Sequence, residues 1–414
     1  MRIGPVLVTL LALGATLQAQ DFLLSRTDGS QLRGRVVGLA GSGEDQRLVF
    51  ATADTRMSVP WTEILALQGP SPKVDAAVAV HLVGGDELKG RITGGDDEGE
   101  TLLLETSLGS VTIPLDRLRT VVFRARAKTR GPAEFRIAKD DDFDEAVFLE
   151  AGRGLDVQGG EIDRLSESGI YFARLGDELA RMYRFDSLVG LAIREGVAPE
   201  KLGGWSLIST AGDRLRVDVL QAGAEQLRVR TEFGDKTLAY SGVAALTRLV
   251  GTRTYLSDLQ PLRVEEVGDD GDLGKAPLYT FQRDRTVSGG VLLGERSSAD
   301  GFLVADGRTY GKGLGVHSKC VLIYRVPPKM TKFHARVAID DEVKALGIKG
   351  DADVAVRSGD KLLWRSAGLR RGHKPRSLGI LKVEPGSTLS LEVEFGKGLF
   401  AGDRIDWLSA VFLN

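Results

Sequence analysis

The chain has a single cysteine, Cys320, in 414 residues, and one thiol excludes an intramolecular disulfide. The folded state must therefore be stabilised by core burial, which suits a bacterial exported protein better than a disulfide-rich extracellular module. Proline is also scarce, with 13 residues against 52 glycines, so most turns should use glycine at positive φ. Helical periodicity is nearly absent. Short apolar runs broken by Gly, Asp and Ser predict an all-β fold made of many short strands.

The chain also lacks a strong net charge. A formal charge of −2 provides no field to attract nucleic acid or a charged membrane surface. One long apolar run is present, from Val6 to Leu17, and it follows Arg2 and precedes the small residue Ala19. This pattern predicts a secretory signal peptide over residues 1–20, with a retained N-terminal anchor as the alternative. No other segment is long and apolar enough to span a bilayer. We therefore expect an exported bacterial protein, periplasmic or extracellular.

A glycine motif recurs four times in the N-terminal two-thirds, between apolar segments. The copies are Gly29–Arg35, Gly85–Arg91, Gly154–Gly160 and Gly212–Asp218. The first glycine of a copy should make a turn, and the second, Gly34, Gly90 or Gly159, should permit a sharp bend in the next strand. Val217 replaces the second glycine in the last copy. A unit of five short strands in about 50–60 residues predicts a small barrel of the SH3-like or Sm-like kind.

These patterns predict four barrel repeats and a C-terminal domain. The expected ranges are 21–70, 76–125, 133–196 and 203–262 for the repeats, and 276–414 for the C-terminal domain. A basic segment, 124–132, and an acidic segment, 265–274, are predicted linkers. Asp269, Asp270 and Asp272 in the acidic segment have a spacing suited to calcium, so a calcium-binding loop is the alternative to a linker there.

Four motifs follow one another in the C-terminal third. They are Gly313–Ser318 (Gly-Leu-Gly-Val-His-Ser), Phe333–Val343, Val354–Ser366 and Asp403–Trp407. In this order they resemble the NPCBM family of carbohydrate-binding modules, whose members are often attached to secreted glycosidases. The resemblance implies a galactose-binding-like jelly-roll β-sandwich. The family's last motif usually reads Asp-His-Ala-Asp-Trp, and here Arg404 and Ile405 replace its middle.

A sugar site combines aromatic faces for the C–H patch of a sugar with planar polar groups for its hydroxyls. The predicted sugar-binding residues are His317, Lys319, Asp341, Trp364, Arg365, Asp406 and Trp407. A purely structural role is the alternative for each of these residues. For Trp364 and Trp407 that role is burial in the core, because both lie in apolar patterns. The resemblance to galactose-binding-like folds also implies a structural calcium, with Asp340 and Asp403 as candidate ligands.

The sequence contains no Gly-x-Ser-x-Gly elbow, no His-Glu-x-x-His zinc motif and no phosphate-binding Gly-Lys-Ser/Thr loop. Asp341 with Asp406 is a carboxylate pair of the kind that glycosidases use, but we predict no catalytic residues.

Two functional hypotheses remain. The first is an exported, non-catalytic protein whose jelly roll binds a galactose-type or related glycan while the barrels act as a spacer. The second is a scaffold whose barrels bind protein partners along edge strands and whose jelly roll has lost sugar binding.

Overall fold

The structure is a computed structural model of the chain. It describes residues 20–41, 45–96, 98–127, 135, 137–139, 141–151, 154–194, 196–197, 202–266, 281–287, 300–345, 347, 349–397 and 402–414. Nearly all of the predicted signal peptide lies outside the described residues, as do Asp269, Asp270 and Asp272. The described part is almost entirely β-structure, which confirms the predicted all-β class.

Twenty strands before residue 250 form four consecutive units of five. The first two units contain β1 (Phe22–Arg26), β2 (Gln31–Ala40), β3 (Arg47–Ala51), β4 (Arg56–Pro60), β5 (Ile64–Gln68), β6 (Val78–Leu82), β7 (Glu87–Gly95), β8 (Thr101–Thr106), β9 (Gly109–Pro114) and β10 (Leu118–Phe123). The last two contain β11 (Glu145–Ala151), β12 (Gly154–Leu165), β13 (Gly169–Arg174), β14 (Arg181–Arg184), β15 (Leu188–Ile193), β16 (Trp205–Ser209), β17 (Arg214–Ala222), β18 (Gln226–Thr231), β19 (Gly234–Ala239) and β20 (Val243–Arg248). A short helix, α1 (Arg124–Ala127), follows β10.

Each unit has the same strand pairing. The first strand pairs with both the second and the fifth, and the second, third and fourth pair in sequence. Within the described residues, the fourth strand of each unit (β4, β9, β14 and β19) pairs only with the third, so the pairing does not close a barrel. The assignment of these units to the SH3-like class therefore remains a prediction.

The backbone of the third strand closely approaches the second strand of a unit. A Cβ atom on Gly34 or on Gly90 would lie 2.0 Å from the carbonyl oxygen of a residue on the third strand. In the third unit this contact falls on Gly160, at 1.9 Å, and not on Gly159. Gly160 pairs with the first residue of β11, as Gly34 pairs with the first residue of β1. A close backbone approach thus requires glycine at the second position in the first two units and one residue later in the third unit.

The units associate in pairs through their fifth strands. β5 of the first unit pairs with β20 of the fourth, and β10 of the second pairs with β15 of the third. The first and fourth units also share a core, in which the Trp61 and Trp205 rings meet edge to face with centroids 4.9 Å apart. Aromatic pairs in this arrangement stabilise a core beyond the area that they bury.

The C-terminal part is a β-sandwich of two sheets that enclose one apolar core. The first sheet contains β21 (Arg253–Tyr255), β23 (Gln282–Arg283), β26 (Gly313–His317), β28 (Lys332–Ile339), β31 (Arg376–Ser377), β32 (Leu381–Lys382) and β34 (Arg404–Leu413). The second contains β22 (Arg263–Glu266), β27 (Cys320–Arg325), β29 (Asp351–Ser358), β30 (Lys361–Arg370) and β33 (Thr388–Phe395). A hairpin of β24 (Leu303–Ala305) and β25 (Arg308–Tyr310) and a short helix, α2 (Glu342–Ala345), lie outside both sheets.

The sandwich begins before the expected boundary at residue 276. β21 pairs with β34 and β22 pairs with β27, so residues 253–266 belong to the two sheets of the sandwich. β21 also brings Arg253 against the first unit, where its guanidinium donates to the carbonyl oxygens of Ile64 at 2.5 Å and Thr62 at 2.9 Å. These buried contacts connect the sandwich to the repeats.

A buried ion cluster forms a second connection. The Lys89 side chain is 0% exposed, and its Nζ lies 2.9 Å from a Glu87 oxygen and 2.5 Å from a carboxylate oxygen of Asp300. Arg285, in the sandwich, pairs with the same glutamate, and a guanidinium nitrogen lies 2.5 Å from a Glu87 carboxylate oxygen. Burial alone would raise the pKa of Glu87, but Arg285 and Lys89 outweigh it and hold that pKa well below its ordinary value. The cluster thus keeps both carboxylates charged at the interface.

Among the described residues, we find no helix with the length and apolar character needed to cross a bilayer.

The close approach of the third strand to Gly90 gives the first prediction. Gly90→Ala should destabilise the protein by about 1–3 kcal/mol, because its new methyl group meets the Glu105 carbonyl oxygen. Gly242→Ala is the matched control, since its Cβ would have no atom within 4 Å, and its stability should stay within about 1 kcal/mol of the parent. Denaturant unfolding followed by tryptophan fluorescence measures both. Equal stability of the two variants would contradict the assigned role of Gly90.

Candidate functional site

Three strands of the first sheet bring their ends together at one end of the sandwich. β34 runs antiparallel to β26 and β28, so its first residues lie beside their last ones. Arg404 pairs with His317, and Ile405 pairs with Ile339. We call this end the rim, and it consists of residues 317–319, 340–344 and 402–404.

Arg404 is a buried anchor of the rim. Its side chain is 0% exposed, and one guanidinium nitrogen donates to the Glu342 carboxylate at 2.9 Å. Truncating one partner of such a buried pair is strongly destabilising, because the other charge is left without compensation. The arginine that departs from the usual family motif thus holds the first turn of α2 against β34.

Asp403 connects two loops of the rim. Its carboxylate accepts the Ser318 hydroxyl at 2.6 Å and the Asp351 backbone N–H at 2.8 Å. Burial raises the pKa of Asp403, and these two hydrogen bonds oppose that shift. Its oxygens are therefore used by protein donors.

Asp340 and Asp406 form a buried carboxyl pair beneath the rim. The Asp340 oxygens accept the backbone N–H groups of Glu342 at 2.7 Å and Val304 at 2.9 Å. Asp406 is 0% exposed, and burial together with the neighbouring Asp340 charge raises its pKa well above the ordinary value. Burial also raises the pKa of Asp340, and two adjacent buried carboxylates cannot both ionise. The pair therefore holds one proton, which lies on Asp406 and is donated in a hydrogen bond to the Asp340 carboxylate.

The predicted calcium site stays a prediction. Both candidate ligands, Asp340 and Asp403, already accept hydrogen bonds from the protein. Within the part of the chain that the structure describes, no group of three or more His, Cys, Asp or Glu side chains could hold a metal ion.

The rim contains three of the seven predicted sugar-binding residues. His317 is 5% exposed, with its Nδ1 2.6 Å from the Ser318 carbonyl oxygen, and Lys319 is exposed. The Asp341 carboxylate accepts the Gly307 N–H at 2.7 Å and lies 2.6 Å from Lys344. Lys344 was not among the predicted site residues. A lysine three residues after an aspartate can form an ion pair with it across one helical turn, and this spacing could have indicated the contact.

The other four predicted residues lie elsewhere. Asp406 and Trp407 have 0% exposure, so neither side chain is available to a ligand at the surface. Trp364 and Arg365 lie on β30 of the opposite sheet. There the indole is partly buried against the core, and Arg365 is exposed, 3.3 Å from Asp353.

Comparison with known proteins assigns a family to this part of the chain. Residues 252–413 match the NPCBM/NEW2 domain model. The chain therefore carries an NPCBM domain, as its four motifs led us to expect, and this domain belongs to a family of carbohydrate-binding modules. The matched range starts at β21, in agreement with the strand pairing.

A curated relative and several solved structures are similar to parts of the chain. Alpha-1,3-galactosidase B of Akkermansia muciniphila is 30% identical over 127 residues, which make up 30% of this chain and only 15% of that protein. A CBM51 module from Clostridium perfringens GH95 in complex with methyl-galactose is 18% identical with a TM-score of 0.31, covering 39% of this chain and 99% of that one. Tandem CBM51 modules of a family 98 glycoside hydrolase from Streptococcus pneumoniae are 12% identical with a TM-score of 0.31, covering 95% of this chain and 88% of theirs.

The carboxyl pair gives the second prediction. Because folded Asp406 keeps its proton where the unfolded chain has lost it, the contribution of this pair to stability should fall as pH rises above the ordinary pKa of 3.8, by about 1.4 kcal/mol per pH unit up to the raised pKa. The lowered pKa of Glu87 acts in the opposite direction, so the parent must be compared with a variant. Asp406→Asn keeps an N–H donor that faces the Asp340 carboxylate, but its side chain does not titrate, so this variant should not lose stability in that pH range through this site.

Asp340→Asn is the matched variant. Its amide oxygen can still accept one backbone N–H, but its NH2 group faces the other backbone donor, so the variant should lose about 1–3 kcal/mol of stability even at acidic pH. Thermal unfolding from pH 4 to 9 measures both variants. Parallel pH profiles for the parent and Asp406→Asn would refute the assigned proton.

Proposed function

We propose that the chain is an exported, non-catalytic carbohydrate-binding protein and that its NPCBM domain binds a galactose-type or related glycan at the rim. The match of residues 252–413 to the NPCBM family is the observation that carries this proposal. The predicted motifs Gly313–Ser318 and Asp403–Trp407 support the location, because both contribute residues to the rim.

The rim offers the hydrogen-bonding groups that sugar hydroxyls require. Lys319 supplies an exposed ammonium donor, and Asp341 and Glu342 supply partly exposed carboxylate acceptors. Charge-assisted hydrogen bonds of this kind are stronger than neutral ones. The buried Arg404 beneath them fixes the position of the α2 turn, which limits the entropy lost on binding. A shallow, exposed site of this kind suits dissociation constants on the order of 1 mM to 1 μM.

The geometry favours binding over glycoside hydrolysis. A glycosidase needs two carboxyl groups that flank the scissile bond. In the predicted pair Asp341–Asp406, the second carboxyl is 0% exposed and faces Asp340. This burial supports a non-catalytic role for the pair.

The four repeats serve as a spacer in this proposal. The alternative, a periplasmic scaffold for protein partners, has its own support. In each unit the fourth strand has one paired neighbour within the described residues, and such an edge can accept an added strand. Loss of sugar binding by the domain together with capture of peptides by the repeats would favour the scaffold.

The third prediction tests the rim. A glycan array with the full chain should identify a galactose-type ligand, and calorimetry should then show that Lys319→Ala and Asp341→Asn each weaken its binding about tenfold, as expected for one lost charge-assisted hydrogen bond. Lys329→Ala is the control, because this exposed lysine lies in the loop between β27 and β28, at the opposite end of the sandwich. A folded protein that binds no glycan, or equal affinities in all three variants, would contradict the proposal.

A further inference from the structure

The segment 361–376 is strongly basic although the whole chain has a net charge of −2. It includes β30 and the loop that leads to β31. The segment has six lysines and arginines and no carboxylate: Lys361, Arg365, Arg370, Arg371, Lys374 and Arg376, with His373 beside them. We call this segment the basic edge.

The basic edge lies along one side of the sandwich. Within the described residues, β30 pairs only with β29, so its other side is open. The loop after β30 crosses to the first sheet, where β31 pairs with β28. Lys361, Arg370 and Lys374 are exposed, and the apolar Leu362 beside them is 46% exposed. Three of the six cations thus lie on the open strand β30, and the other three lie in the loop that follows it and on β31.

Arg376 holds the crossing loop in place. Its guanidinium donates to the Ser366 hydroxyl, to the Ala367 carbonyl oxygen at 2.9 Å and to the Gly368 carbonyl oxygen at 3.0 Å. These bonds fix the loop against β30, so the neighbouring cations are held in a defined arrangement before any ligand arrives.

Protein carboxylates compensate only part of this charge. Arg365 lies 3.3 Å from Asp353, and Arg370 lies 3.3 Å from Asp351. Lys361, Arg371 and Lys374 have no ion-pair partner anywhere in the ranges that the structure describes. The basic edge therefore keeps an excess of positive charge at the surface.

The basic edge is continuous with the rim. The Asp351 carboxylate faces Arg370, and the Asp351 backbone N–H donates to Asp403 of the rim at 2.8 Å. A linear ligand can therefore follow the edge away from the rim.

We propose that the basic edge binds an anionic polysaccharide, one that carries sulfate or uronate groups. Arginine pairs with such planar or tetrahedral anions through bidentate hydrogen bonds, and lysine adds point charges. Charge complementarity favours a linear polyanion here, because three cations lie on one open strand and the others lie in and after the loop that follows it. This binding goes beyond the proposed function, because it does not depend on a neutral sugar at the rim.

The fourth prediction compares two charge-matched triple variants of the full chain. Lys361→Gln, Arg371→Gln and Lys374→Gln together remove the three cations of the basic edge that have no ion-pair partner. Arg56→Gln, Arg91→Gln and Lys329→Gln remove three exposed cations elsewhere. The probes are heparin, polygalacturonate, neutral dextran, a short DNA duplex and phosphatidylserine vesicles, at one fixed ionic strength.

The parent should bind heparin or polygalacturonate, with affinity that falls as salt rises, and should bind dextran only weakly. The edge triple variant should lose about tenfold or more in affinity for the acidic polysaccharide, as expected for three exposed ion pairs, and the control triple should not. Equal losses in the two triples, no binding to either polysaccharide, or tighter binding to DNA or vesicles would overturn the proposal. Binding of a neutral galactoside at the rim should be unchanged in the edge triple, so failure of the rim proposal would be seen separately.

Discussion

The pairing of β34 with its three neighbours is the constraint on which the sandwich depends. All ten residues from Arg404 to Leu413 are buried, between β26 and β28 and beside β21. Every backbone polar group in such a strand needs a partner, since none can be satisfied by water. The start of β34 therefore fixes the ends of β26 and β28, and the rim is a direct consequence of this register.

Buried charges position the loops around this framework. Arg404 holds the α2 turn through Glu342, and Asp340 orders the same turn while accepting a hydrogen bond from protonated Asp406. The ion cluster around Lys89 likewise connects the repeats to the sandwich, because Lys89 pairs with both Glu87 and Asp300. Fully paired groups of this kind define one arrangement of loops, although they add less to stability than apolar packing of the same volume.

Much of the fold could be predicted from short-range patterns. The turn glycines Gly29, Gly85 and Gly212 and the four ordered motifs are local signals, and the positive φ of these glycines and the family match agree with them. Gly154, by contrast, is the first residue of β12. The burial of Trp407 was one of two predicted outcomes, since the residue lies in an apolar pattern. The burial of Asp406 could not be predicted, because a strand covered on both faces does not alternate between polar and apolar residues. The basic edge was missed for a different reason, since a net charge averages over the chain and hides a local excess.

A crystal structure of the full chain with a bound galactoside would test the central claim most directly. The account predicts that the sugar ring lies at the rim, with its hydroxyls within hydrogen-bond distance of Lys319, Asp341 or Glu342 and with Arg404 still paired to Glu342. A galactoside bound against the repeats, or one that enters only after the buried Arg404 pair has opened, would contradict it.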